Sequence, residues 1–349
     1  MGWLSASRRV EPQLKSKGNF QDECDGQEQM SCTKVLVTGA NGFVGSSVVV
    51  RLLSLEKFSA VCGVRGPSPT GFPCEHLFFE LGAELPAASL AGVTTVVHAA
   101  ARVHVMSVQG ADDLSAFRAA NVDGTIKLAA SAAQAGVKRF VFISSIKVNG
   151  EQTRSGAPFS SLDLPAPVDA YGISKREAED ALRELGARTG MEIVIIRPPL
   201  VYGPGVKANF LSMLRWVERG VPLPFGSITN RRSMVALDNL IDLIVRCIEH
   251  PAAPGNTFLV SDGEDLSTTQ LLQRVARSLG VRSVLIPFPQ KVLSMGLRLM
   301  GKQALSARLC GSLQVDIRRT CELLEWAPPV GVDQALAGVA KYYLDTKNK

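Results

Sequence analysis

The stretch VLVTGANGFVG at residues 35–45 limits the possible folds of this chain more than any other feature. A β-type apolar run stops at Gly39, glycines recur at positions 42 and 45, and an apolar helix-period stretch begins immediately afterwards. Glycine at the first position permits a tight strand-to-helix turn; at the second it lets backbone approach a ligand; at the third it lets the helix pack closely. The N–H groups that open such a helix attract phosphate oxygens. Gly39, Asn41, Gly42, Phe43, Val44 and Gly45 therefore form a candidate dinucleotide-binding turn.

Beyond this turn, short β-branched runs alternate with helical stretches. KVLVTG, SAVCGVR, HLFFEL, TTVVHAAA, KRFVFISS and EIVIIRPP read as six strands joined by crossovers. That rhythm predicts an α/β fold, a Rossmann-type doubly wound parallel sheet whose ligand lies at the carboxyl ends of the strands. After Tyr202 the run Gly203, Pro204, Gly205 breaks the pattern, and a smaller C-terminal α+β substrate-binding region is expected, with helices over 210–219, 240–249 and 267–279. The predicted division is an extension outside the fold over 1–29, mainly a dinucleotide domain over 30–203, and mainly a substrate region over 204–349. Residues 292–309, VLSMGLRLMGKQALSARL, read as a packed amphipathic helix with a solvated basic edge, a helix resting on a membrane surface being the alternative.

Composition excludes several classes. The net charge of +6 is scattered, with no basic block to track a phosphate backbone, so no nucleic-acid partner is expected. Seven cysteines without a C-x-x-C pair and four histidines without H-E-x-x-H argue against a disulfide framework or a metal mechanism, and for a reduced, cytoplasmic protein. No apolar run is long enough to make a transmembrane segment.

The cofactor's other contacts follow from strand ends. An Asp or Glu after the second strand would hold a ribose 2′-hydroxyl; Arg65 stands there instead, and a guanidinium suits a 2′-phosphate, which favours NADP(H) over NAD(H). Glu80 and Leu81, ending the third strand, are placed near the adenine, and Ala99 and Ala100, ending the fourth, along the cofactor floor. The neighbouring His98 reads as a packed histidine.

Tyr171 and Lys175, in YGISK, stand four residues apart and so share one helix face. An ammonium beside a phenol favours the phenolate, which makes Tyr171 usable as an acid or base. Ser145, at the end of the fifth strand, can hydrogen-bond the same reacting oxygen, with Ser144 expected to hold backbone. Ser145, Tyr171 and Lys175 are the candidate catalytic set.

These residues resemble the extended short-chain dehydrogenases, in particular their nucleotide-sugar epimerase, dehydratase and reductase group. The resemblance covers residues 34–344 and rests on TGANGFVG, NVDGT, FISSIKVNG, YGISK, RPPLVYGPG and RRSMVALDNL in combination. It implies that Asn121 supports the lysine, that Asn209 contacts a nucleotide diphosphate, that Arg232, or its neighbour Arg231, pairs with that diphosphate, and that the protein is a homodimer. The 4,6-dehydratases of the group carry Asp-Glu after the active-site hydroxyl residue, whereas Ile146 and Lys147 stand here, which disfavours dehydration. Similar patterns belong to enzymes of bacterial surface-polysaccharide pathways acting at carbon 4 of a UDP-linked sugar. Arg65 turns that expectation toward a 4-keto-sugar reductase; a UDP-hexose 4-epimerase is the alternative, and a carbonyl reductase of a non-nucleotide substrate the second.

Overall fold

A computed structural model of the protein describes residues 32–66, 71–103, 111–154 and 156–347. The extension expected over 1–29 lies outside them. Among the described residues, ten strands numbered along the chain form two sheets. The larger contains β1 (Thr33–Thr38), β2 (Phe58–Val64), β3 (Glu75–Phe78), β4 (Thr95–His98), β5 (Arg139–Ile143), β6 (Glu192–Arg197) and β9 (Thr257–Leu259), in the parallel order β3-β2-β1-β4-β5-β6-β9. All six predicted strands are present. The seventh, of three residues, is too short for periodicity to reveal.

Side-chain alternation builds a core on each face of the sheet. Val35, Val37, Val141 and Ile143 point to one side, where α1 (Phe43–Leu53) and α6 (Leu237–Glu249) cover them. Leu36, Phe140, Phe142 and Ile195 point to the other, under α3 (Gly124–Gln134) and α4 (Ala170–Thr189). The short α2 (Ala111–Phe117) runs through a π-helical turn, Arg118–Asp123, into α3.

The smaller sheet holds β7 (Leu200–Tyr202), β8 (Arg232–Ala236) and β10 (Asp265–Leu266). A third core joins it to α5 (Ala208–Glu218), α7 (Thr268–Ser278) and α11 (Val332–Lys347) through Phe210, Leu214, Val275 and Leu336. Ser267 caps α7 in a reciprocal box with Gln270, as the sequence suggests.

One helix expectation fails. Residues 292–309 form not one packed helix but α8 (Gln290–Leu299) and α9 (Gln303–Cys310), broken where Gly301 takes φ +71°. Their apolar face is exposed, with Leu299 at 81% and Met300 at 62%. The chain closes through α10 (Arg318–Leu324) and α11. No helix among the described residues is long and apolar enough to cross a membrane.

Candidate active site

The sheet order reverses beside β1, whose neighbours are β2 and β4, and ligands of such sheets sit where that reversal opens a crevice. Gly39 turns there with φ +69°, and a Cβ on it would come within 2.9 Å of the Ala100 backbone nitrogen. A Cβ on Gly45 would lie 2.2 Å from the Gly39 carbonyl oxygen, so α1 can start this close only with glycine there. Gly42 caps α1 with no side-chain hydrogen bond, and Asn41 is exposed beside it. Phe43 and Val44 pack on the core below. The N–H groups of the first turn thus face a cradle that a Cβ would fill, which fits a dinucleotide phosphate.

The floor beside this cradle is rigid. Thr38 Oγ1 accepts from Ala100 N at 3.3 Å and meets His98 Nδ1 at 2.7 Å, while His98 Nε2 meets Thr125 Oγ1 at 3.0 Å. His98 is fully buried, and burial followed by the Lys175 charge pushes it down to about 3, so it is a neutral, packed histidine. Ala99 and Ala100 are half-buried, Leu81 is half-buried after β3, and Glu80 and Arg65 are exposed.

Lys175 reaches from α4 to the end of β5. Its Nζ donates to the Ile143 carbonyl at 2.8 Å and sits 4.4 Å from the Phe142 ring centroid. Ser145 follows two residues later, half-buried, its hydroxyl accepting from Lys147 N at 3.3 Å. Tyr171 lies in the first turn of α4, edge-on to Phe117 at 6.0 Å. Asp169 caps that turn, accepting from Gly172 N at 2.7 Å, and its carboxylate pairs with the Lys147 ammonium. Lys147 also pairs with Glu151 at 2.9 Å and so ties the Ser145 turn to the Tyr171 turn.

The expected lowering of the Tyr171 phenol by Lys175 is not found. Burial first, then the Asp169 charge, pushes the phenol up, and burial pushes Lys175 down to about 7. The reason is geometric: the ammonium is spent on Ile143 and the Phe142 face. Ser144 also departs from expectation, since its hydroxyl donates to Glu179 Oε1 at 2.5 Å rather than to backbone.

Asn121 is buried in the π-helical turn and donates to Ser174 Oγ at 3.1 Å, while accepting from Arg102 N at 2.8 Å. Ser174 in turn donates to the Tyr171 carbonyl at 2.8 Å, so Asn121 braces the segment that carries both Tyr171 and Lys175. A single π-helical turn of this kind inside an α-helical stretch occurs frequently at functional sites.

Toward the C-terminal side, Asn209 is exposed in the first turn of α5, preceded by Ala208 at φ +53°. Arg231 is exposed; Arg232, opening β8, is partly covered and donates to the Gly311 carbonyl at 3.1 Å. Burial lowers Arg232, with Glu151 acting against that and Arg308 adding to it. The charge of Arg308 beside Arg232, and the Glu179–Arg197 pair under α4, have no motif in the sequence and emerge only on folding.

Folding also brings Cys62, Cys74 and His76 together, their ligand atoms within 4.8 Å and the two sulfurs 2.8 Å apart. Residues fourteen positions apart give no zinc-type spacing, but Cys62 and His76 are cross-strand partners in β2 and β3. The trio lies at the sheet edge, apart from the Ser145, Tyr171 and Lys175 side chains.

Fold and site define a doubly wound α/β protein with a glycine-lined turn opening α1, Ser145 just past the end of β5, and Tyr171 and Lys175 on α4, the latter reaching the Ile143 carbonyl. The chain belongs to the NAD dependent epimerase/dehydratase family, whose model matches residues 35–261. It is 45% identical over 334 residues to the UDP-glucose 4-epimerase of Vibrio cholerae, covering 93% of this chain and 100% of that protein. Among solved structures it is similar to the UDP-glucuronic acid 4-epimerase of Bacillus cereus in complex with NAD, with TM-score 0.74 and 22% identity over 90% of this chain and 99% of that one. It is also similar to MoeE5 in complex with UDP-glucose and NAD, with TM-score 0.71 and 25% identity over 90% and 99% of the two chains. The protein is an enzyme of the short-chain dehydrogenase/reductase type. The NADP(H) preference read from Arg65 is not supported: the family is NAD dependent, and this guanidinium sits in an exposed turn.

Proposed function

We propose that this enzyme is a UDP-hexose 4-epimerase that interconverts the carbon-4 epimers of UDP-glucose or UDP-N-acetylglucosamine. The observation that carries the reading is the end-to-end similarity to the Vibrio cholerae UDP-glucose 4-epimerase. It replaces the 4-keto-sugar reductase expected from Arg65, because that expectation depended on NADP(H). Supply of sugars for surface polysaccharide belongs to the same reading, as does a homodimer formed through the long helices, including α4.

Bound NAD would supply the hydride acceptor, and then donor, for carbon 4 that an inversion at this carbon needs. In this reading Gly39, Gly42 and Gly45 hold its diphosphate against α1, Asn41, Phe43 and Val44 complete that wall, Arg65, Glu80 and Leu81 line the adenosine side, and Ala99 and Ala100 the cofactor floor. Tyr171 acts here as the phenolate, which must form against the burial that raises the phenol: its Oη takes the proton of the 4-hydroxyl as hydride leaves and gives it back when hydride returns, so no net redox change occurs. Ser145 holds the carbon-4 oxygen, Lys175 ties the helix that carries Tyr171 to the end of β5 through the Ile143 carbonyl, and Asn121 positions the segment that bears Tyr171 and Lys175. Residues 30–203 thus carry the dinucleotide and 204–349 the sugar nucleotide. Asn209, Arg231 and Arg232 hold the diphosphate, which leaves the sugar free to turn between the two transfers.

The experiment is to incubate purified enzyme with UDP-glucose or UDP-N-acetylglucosamine and resolve the products by ion-exchange chromatography, while identifying the nucleotide released on denaturation. Both epimers with NAD released from the protein support the proposal. Stoichiometric NADPH consumption with a 4-keto sugar, and no epimer, would restore the reductase.

A further inference from the structure

From residue 266 to residue 315 the chain contains no Asp or Glu and seven Lys or Arg, an excess larger than the net charge of +6 of the whole protein. The helix pair α8 and α9 lies within this stretch. On α8, Val292, Met295 and Leu299 repeat at helical spacing and are exposed to 48%, 59% and 81%, whereas Leu297 on the opposite side is buried. On α8 Lys291 and Arg298 stand one residue before Val292 and Leu299, Lys302 caps α9 just beyond the Gly301 break, and none of the three pairs with a carboxylate among the described residues. An apolar stripe and a cationic stripe therefore run side by side in solvent. A helix packed on a soluble core shows the reverse, with its apolar stripe covered.

We propose that the α8–α9 face is a docking site for an anionic phospholipid bilayer. Val292, Met295, Leu299 and Met300 enter the boundary between headgroups and acyl chains, and Lys291, Arg298 and Lys302 meet lipid phosphates. Charge complementarity selects this occupant over a second copy of the chain, because a two-fold contact through one patch sets its cations against themselves. The face is also joined firmly to the substrate side of the enzyme. Gln290 accepts from Thr229 N at 3.0 Å and donates to the Cys310 carbonyl at 2.9 Å, and Asn230 and Arg232 both donate to the Gly311 carbonyl. Docking through α8 therefore fixes the orientation of Arg232 relative to the bilayer.

The test is flotation of the full chain with vesicles of phosphatidylethanolamine and phosphatidylglycerol, with phosphatidylcholine vesicles as the neutral control. Wild type is expected to float with the anionic vesicles only, and raising the salt to roughly 1 M releases it. M295E/L299E and K291E/R298E should each lower the bound fraction roughly tenfold or more, with unchanged thermal midpoints. Failure of the wild type to float, equal binding to neutral vesicles, or variants that bind like wild type would each overturn the proposal. So would sedimentation showing a dimer that M295E/L299E dissociates, since the face would then be covered by a second copy.

Discussion

Glu179 on α4 and Arg197 at the end of β6 form a buried two-point ion pair, Nε to Oε1 at 2.9 Å and Nη2 to Oε2 at 2.5 Å. Ser144 donates to the same carboxylate, and Arg197 donates to Asn149 Oδ1 at 2.9 Å. The four side chains lock α4 against the ends of β5 and β6, one helical turn from Lys175. Glu179→Ala strands the guanidinium in a dry interior, and removing one partner of such a pair costs about 3–5 kcal/mol. Urea unfolding should show that loss, and the double variant Glu179→Ala/Arg197→Met should recover part of it. A double variant no more stable than the single would refute the pairing account.

Gly39 and Gly190 both have positive φ, +69° and +77°, but only Gly39 is crowded, by the Ala99–Ala100 backbone. Gly190→Ala should cost about 1–2 kcal/mol, the ordinary strain of a left-handed residue. Gly39→Ala should cost more and also abolish nucleotide retention. Calorimetric titration with NAD⁺ and thermal unfolding separate the two, and equal behaviour of the variants would show that the cradle is not the cofactor's seat.

Tyr171→Phe removes the hydroxyl that carries the proton in the proposed function while leaving the ring against Phe117. Turnover should fall about 10²–10⁴-fold with NAD affinity preserved. Retained turnover would exclude the phenol from the proton step.

Burial holds Lys175 at about 7, far below the usual lysine range. A buried amine with a lowered value destabilises the fold while it is charged, and the penalty falls as pH rises from about 7 toward the unfolded value near ~10.4. Tyr171, pushed up, stays protonated across the lower part of this range. Wild type should therefore gain stability relative to Lys175→Met between pH 7 and 9.5 in paired urea titrations. A pH-independent difference would mean that Lys175 keeps an ordinary value.

Arg232 is part-covered and, in the proposed function, grips the substrate diphosphate rather than the reacting carbon. Arg232→Met should raise KM for the UDP-sugar roughly 10–100-fold and change kcat much less. A kcat loss at unchanged KM would place Arg232 in the chemistry instead.

The sequence by itself determined the doubly wound sheet, its six longer strands, the glycine turn at Gly39, Gly42 and Gly45, and the helix that puts Tyr171 and Lys175 on one face. All of these depend on local periods and turn chemistry, which a few neighbouring residues suffice to set. Tertiary structure alone decided the seventh strand, the Glu179–Arg197 lock, the approach of Lys175 to Ile143, the Cys62–Cys74–His76 cluster and the exposure of the α8 stripe. Those depend on which side chains meet across distances of 14 to 60 positions or more, and on what is left uncovered once the cores close. The rise of the Tyr171 phenol shows the difference: spacing put an ammonium on its face of the helix, but folding engages that ammonium with Ile143 and the Phe142 ring, and desolvation, which only packing creates, raises the phenol.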